Sequence, residues 1–352
     1  MKRRLTEDDV QAAVWGGAIL GGGGGGFVAA GELAARQALQ AGSVALWSVD
    51  EFDADALTAT VALVGAPGSP DPKVPPEHRM RAIELLQRQL PGRLAALHTN
   101  ENGAETTVNG WGQAAALGLP MLDFACNGRA HPSSVMGAMG LHRESGYVAL
   151  QAFAGGAPQR YLEGVARGAM DGVASIARHA SVQAGGAVAV ARNPVTIGHA
   201  ARHGAPGAIS FAIDLGRAYL DGGLDAAARF LGGSVRAEGT VASYRCEQVA
   251  GLDVGVVVLD DDARTRLPLI NEYMLLEQHG ERMAAFPDLL TTFDAEGRPV
   301  VSADVRVGDR LRVLHAPAAR LPLAATMFMA ELYAPLEATL GQRFAPAPSI
   351  HP

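Results

Sequence analysis

Six consecutive glycines, Gly21–Gly26, break the chain between two helical patterns. Nine of the twenty residues from Ala12 to Gly31 are glycine, and none of the twenty is charged. An uncharged stretch behind a basic Met1–Arg4 superficially resembles a leader or a membrane span. A glycine run loses too much chain entropy to hold a spanning helix, and Glu7, Asp8 and Asp9 stand where an apolar core should begin. The spacing therefore predicts helix, glycine loop, helix, with Thr6 and Asp9 as the start signal of the first helix. Such a loop lets backbone approach a ligand or a second helix closely. Its amides, followed by a helix start near Phe27, suit an anion. Gly21, Gly23 and Gly26 satisfy a Gly-x-Gly-x-x-Gly spacing with Asp50 downstream, but a helix rather than a strand precedes them, against a dinucleotide site. No Gly-Lys-Ser/Thr follows, which excludes a nucleotide P-loop.

Beyond the loop, short apolar runs alternate with helical patterns. Val44–Val49, Val61–Gly65, Leu94–His98 and Pro120–Phe124 read as strands. Pro76–Leu90 and Gly112–Leu117 read as helices, with Pro67-Gly68-Ser69-Pro70 as a loop. This alternation predicts an α/β fold whose N-terminal domain has a mostly parallel sheet, covered on both faces. Arg160–His179 reads as one long helix joining it to a second, α+β, strand-rich C-terminal domain. A length of 352 residues fits two domains; the expected division is 1–160 and 161–352. The net charge of -7 is spread along the chain, which disfavours a nucleic-acid groove or an anionic membrane surface. Two distant cysteines, Cys126 and Cys246, make no disulfide framework and point to a reducing cytoplasm. The oligomeric state stays open, a homo-oligomer included.

Reactive side chains concentrate in two segments, each after an expected strand: Thr99–Gly110 and Asp123–Pro132. Ligands of open α/β sheets sit beyond the carboxyl ends of strands. Glu105 or Asp123 suits a general base and His131 a proton shuttle. Arg129 suits a carboxylate clamp, Cys126 a nucleophile or soft metal ligand, and Asn109 a substrate contact. Each has a structural alternative: Asp123 as a turn cap, Cys126 as core, His131 at a helix start. Gly22, Gly23, Gly24 and Gly25 complete the candidate substrate site. Whether a metal binds is unsettled; zinc is the ion that Cys126, His131 and Asp123 would suit. His199 and His203 lie four apart on an expected helix, a zinc-compatible spacing, but no glutamate follows His199 as in His-Glu-x-x-His, which favours a surface or packing role.

The chain is similar to a known family. Leu20 with the glycine run, Gly65-Ala66-Pro67-Gly68, the Glu/Asn-rich loop near 101, Gly118-Leu119-Pro120, Asp123 and Gly128-Arg129-Ala130 with Pro132 come in its order. Asn271-Glu272, Pro287-Asp288-Leu289 and Val307-Gly308-Asp309 follow. From about residue 8 to 340 the chain resembles the S-methyl thiohydantoin desulfurase-like family, which is linked to hydantoinase and oxoprolinase-type proteins. The resemblance implies two domains and hydrolysis of the carbon–sulfur bond of a thiohydantoin thioether, in the catabolism of sulfur-bearing histidine derivatives. Ala125 replaces a second acid of the family pattern, His131 an aromatic, and Glu101-Asn102-Gly103-Ala104 its Glu-Ile-Gly-Gly. The expected activity is thus that of a hydrolase acting on a small cyclic amide or thioimidate. The alternative is a non-catalytic ligand-binding or scaffold subunit of a hydantoinase-type assembly.

Overall fold

A computed structural model describes residues 1–65, 74–249 and 251–346. The loop expected at Pro67–Pro70, with most of Gly65-Ala66-Pro67-Gly68, lies outside the described residues.

The chain forms two sheets with helices packed on them. The first contains β1 (Lys2–Arg4), β2 (Ala45–Trp47), β3 (Leu57–Gly65), β4 (Leu94–Thr99), β5 (Met121–Ala125), β6 (Ala149–Gly155), β7 (Leu162–Gly168), β8 (Ala187–Thr196) and β9 (Ala205–Pro206). Its order is β1-β2-β5-β4-β3-β8-β6-β7, with β9 on β5. The helices are α1 (Glu7–Gly21), α2 (Val28–Ala41), α3 (Pro76–Gln87), α4 (Trp111–Leu117), α5 (Met170–Gln183), α6 (Ile197–His203), α7 (Ala208–Leu231) and α8 (Ala334–Leu340). The second sheet holds β10 (Ser234–Val249), β11 (Leu252–Asp260), β12 (Arg266–Ile270), β13 (Glu272–Tyr273), β14 (Leu275–Gln278), β15 (Glu281–Ala285), β16 (Leu289–Phe293), β17 (Pro299–Val300) and β18 (Arg310–Ala316). All its pairings are antiparallel. The strand-rich second half expected from the sequence is therefore present.

The expectation of a mostly parallel first sheet needs correction: the sheet is mixed. Only β2–β5, β5–β4 and β4–β3 pair in parallel. Parallel pairing needs crossover helices, and the strand–helix alternation that supplies α3 and α4 ends at β5. From β6 onward neighbours pair antiparallel. The long helix expected over 160–179 is likewise two elements, β7 and α5. Residues 162–168 alternate in exposure as a strand does, and pairing along β6 from Ala149↔Gly168 to Gly155↔Leu162 overrides their helical spacing. The first sheet draws strands from either side of residue 160, and the second begins only at Ser234.

The uncharged stretch before the glycines is explained by α1. Asp9 closes its start, its carboxylate accepting from the Thr6 N–H at 2.9 Å. From Val10 to Gly21 nearly every residue is buried, as an apolar helix without a polar face must be. Ile19 and Leu20 join Ala212, Leu215, Leu289 and Phe293 in one core cluster, so α1 links α7 to the second sheet. Among the described residues no helix is long and apolar enough to cross a membrane.

The α1–α7 crossing is closer than any side chain allows. A Cβ on Gly16 would lie 1.8 Å from the Ala212 carbonyl oxygen, and one on Gly216 1.8 Å from that of Ala12. Both obstacles are backbone, so the helices themselves must part. Gly16→Ala is expected to lower the melting temperature through overpacking worth about 1–3 kcal/mol. Gly112→Ala, whose Cβ meets nothing within 4 Å, is expected to leave it unchanged. Thermal denaturation of the two variants checks the contrast.

Candidate active site

The carboxyl ends of β4 and β5 send their following loops to one side of the first sheet. With the glycine loop and the edge of the second sheet they enclose a cleft of about 930 Å³. Its lining includes Gly23–Phe27, Asn100, Glu101, Glu105, Asn109, His131, Arg192, Asp253, Asn271, Glu272 and Ser302.

The glycine loop is fixed by its carbonyls. Gly22 accepts from the Tyr273 N–H at 2.9 Å, and Gly23 from Ser302 N–H at 2.9 Å and Oγ at 3.0 Å. Gly25 accepts from the N–H groups of Glu105 at 2.9 Å and Thr106 at 3.2 Å. The loop thus tethers both halves of the molecule. The φ of +99° at Gly23 and +85° at Gly26 suits glycine. At Gly24 the demand is space, since a Cβ there would fall 2.0 Å from Glu272 Oε1. The N–H groups of Gly23, Gly25 and Gly26 have no acceptor among the described residues.

Glu272 is 3% exposed, and its Oε2 has no partner among the described residues. Asn271 before it adopts φ +54°. The Asn271 N–H donates to the Asp253 carbonyl at 2.8 Å, its Oδ1 accepts from the Asp253 N–H at 2.9 Å, and its carbonyl accepts from Ser302 Oγ at 2.5 Å. That clamp places Glu272 on the cleft wall. Burial pushes its carboxyl well above the usual carboxylate range; Glu101 adds to this and Arg129 opposes it.

Glu101 belongs to a second polar chain. Its Oε2 lies 2.7 Å from His131 Nδ1 and accepts from Asn100 Nδ2 at 3.2 Å. Asn100 Oδ1 accepts from Arg192 Nη2 at 2.9 Å. The close approach of Glu101 to His131 Nδ1 lacks hydrogen-bond geometry, and neither His131 ring nitrogen has a hydrogen-bond partner among the described residues. Gly137 packs on this chain: a Cβ would lie 2.4 Å from Asn100 Oδ1 and 2.8 Å from His131 Nε2.

The residues singled out from the sequence separate into two groups. Glu105, Asn109, His131, Gly23, Gly24 and Gly25 line the cleft. Glu105 stands near Arg79, 3.4 Å from its Nη2. Gly22 and Arg129 lie behind the loop, with Arg129 Nη2 2.3 Å from where a Gly22 Cβ would sit. Arg129 is fully buried, 5.1 Å over the Phe286 ring, and Nη1 donates to the Asp288 and Pro287 carbonyls at 2.6 and 3.3 Å. Burial lowers the guanidinium to about 10, while Glu272, Tyr333 and Asp288 pull the other way. Asp123 is off the cleft: its carboxylate accepts from Ser210 N–H at 2.9 Å and Oγ at 2.7 Å, fastening the first turn of α7. That is a helix-capping role.

Cys126 is also off the cleft, bonded to Thr60 Oγ1 and the Thr99 carbonyl. Burial pushes its thiol up to about 12, the opposite of a nucleophile's environment. A thiol-alkylating reagent is therefore expected to modify exposed Cys246 in the native protein and to reach Cys126 only after denaturation; peptide mapping of the labelled protein checks this. Cys126, His131 and Asp123 do not come together as a metal-ligand set.

Sequence reasoning missed Glu272, Glu101, Asn100 and Arg192 as site residues. Glu272 was visible in Asn271-Glu272, and Glu101 opens a segment already marked as polar. Arg192 had a weaker signal, a lone charge within the apolar run of β8.

Residues 8–157 match the S-Me-THD-like N-terminal domain and residues 169–325 the S-Me-THD-like C-terminal domain. Among solved structures, an X-ray crystal structure of a protein from Chromobacterium violaceum is similar over 99% of this chain and 100% of its own, with TM-score 0.74 and 24% identity. That likeness concerns the fold. No curated protein matches the chain.

Proposed function

Because the chain belongs to the S-Me-THD-like family, we propose that it is a hydrolase of small five-membered cyclic thioimidates, releasing a thiol and leaving the ring as a hydantoin. The family name implies a thiohydantoin-directed enzyme. The observation that carries the hydrolytic reading is the pair of differently placed acids: Glu272 buried, its carboxyl pushed well above the usual carboxylate range by burial, and Glu101 beside His131. Acid and base roles commonly fall to groups whose surroundings drive them apart.

Water adds to the ring carbon that bears sulfur. Glu101, held by Asn100 with His131 beside it, takes one water proton, and Glu272 gives its proton to the ring nitrogen. The carbon–sulfur bond then breaks with its electron pair going to sulfur. The new C–OH returns a proton to Glu272 as it becomes a carbonyl, and the proton on Glu101 passes to the thiolate. Both carboxyls end as they began. The free amides of Gly23, Gly25 and Gly26 offer donors to the ring's own carbonyl oxygen.

The test is incubation of the full chain with S-methyl thiohydantoins bearing different ring substituents, following methanethiol with a thiol reagent and hydantoin by chromatography. Equal release of the two is the expected result. Failure to release thiol from any of them, with hydantoins still raising the melting temperature, would overturn hydrolysis in favour of a binding protein.

A further inference from the structure

A second cluster of ligating side chains lies off the cleft. Glu144, His199 and His203 each present one donor atom, and the three atoms lie within 4.8 Å of one another. None of the three lines the cleft. His199 and His203 stand one turn apart on α6, with ring centroids 4.4 Å apart. His199 Nε2 is 3.0 Å from the Met139 carbonyl, and the Thr196 hydroxyl accepts from the His199 N–H at 3.1 Å. A ring nitrogen that donates to a backbone carbonyl leaves the other nitrogen's lone pair free, which is how ligating histidines are usually oriented. Met139, at φ +50°, brings that carbonyl to the ring.

We propose that Glu144, His199 and His203 bind a zinc ion. Two imidazoles and one carboxylate are a zinc donor set, and three protein ligands leave a fourth position to water. Donors around a tetrahedral zinc with bonds near 2.0–2.1 Å sit about 3.4 Å apart. The three donors, within 4.8 Å of one another, would draw together on the ion, and the exposed Glu144 side chain is free to adjust. The ion would tie the 139–144 turn to α6. That turn follows the segment carrying His131 and Gly137, and Arg143 fixes it to Glu331 of the second half. The site is a fastening point beside the cleft and takes no part in the proposed hydrolysis.

Untagged full chain, stripped with a chelator, is titrated with zinc chloride by calorimetry, and with cobalt(II) for its tetrahedral absorption. One ion per chain is expected, with magnesium and calcium inert. His203→Ala and Glu144→Gln should each weaken zinc by at least about ten-fold, and Cys246→Ser should not. Glu144→Gln alters only an exposed side chain, so its reading does not depend on folding. Absence of zinc uptake, unchanged affinity in both variants, or dependence on Cys246 would overturn the site.

Discussion

Glu272→Gln is expected to lower kcat by about 10²–10⁴-fold, the span of a positioned acid, without lowering the stability of the fold at neutral pH. Gln keeps the shape of the side chain, so KM should change little. The stability half of the prediction follows from the raised pKa. A carboxyl held above its ordinary value keeps its proton in the folded chain over a pH range where the unfolded chain has lost it. Stability therefore falls as pH rises above the usual glutamate value and towards the folded one. Gln has nothing to ionise and escapes that loss. The difference in melting temperature between variant and wild type should shift in favour of the variant from pH 5 to pH 8. For the same reason kcat/KM of the wild type should decline on the alkaline side as Glu272 ionises. The competing possibility is an ionised pair with Arg129. It predicts no such shift: a carboxylate whose folded pKa is lowered is already ionised in both states above about pH 5, so the difference would stay flat from pH 5 to pH 8 and change only at lower pH, and a flat difference would remove Glu272 as the acid.

The glycine run shows how far local reading reaches. Six glycines without charge around them state that backbone comes close to something, and helix, loop, helix followed from that. What it comes close to is set by distant residues: Tyr273 and Ser302 take up the Gly22 and Gly23 carbonyls, and Glu272 occupies the space of a Gly24 side chain. Nothing near residue 24 encodes a partner 248 positions away (272 − 24). Asp123 and Cys126 illustrate the reverse. Their residue types and their place after a strand suited catalysis, but β5 turns them towards α7 and Thr60, away from the cleft. A strand end fixes which loop reaches a site; side-chain direction alternates along the strand and decides which residues do. The sheet followed the same logic, parallel where crossover helices are written in the sequence and antiparallel where pairing with β6 and β8 decides.

Arg129→Ala is expected to lower stability by about 1–3 kcal/mol through the carbonyl acceptors left without a donor, with a further loss from the cavity it opens. Read from sequence, Arg129 suits a ligand clamp, which would leave melting unchanged on truncation. The structure gives its guanidinium other work. Nη1 joins the loop after β5 to the Pro287 and Asp288 carbonyls, and the guanidinium carbon lies 5.1 Å over the Phe286 ring. Nη2 lies where Gly22 has no side chain, so the glycine loop rests against it. Alanine would leave two buried carbonyls without their donor, open a cavity under the loop, and remove the cation that opposes protonation of Glu272. Arg129→Lys should recover only part of the loss, because an ammonium lacks the planar face for Phe286. A clear drop in melting temperature for Arg129→Ala, partly relieved in Arg129→Lys, is the expected result. Unchanged melting with ligand affinity lost would instead show that the guanidinium serves the ligand directly, and the division between residues that line the cleft and residues that brace it would have to be redrawn.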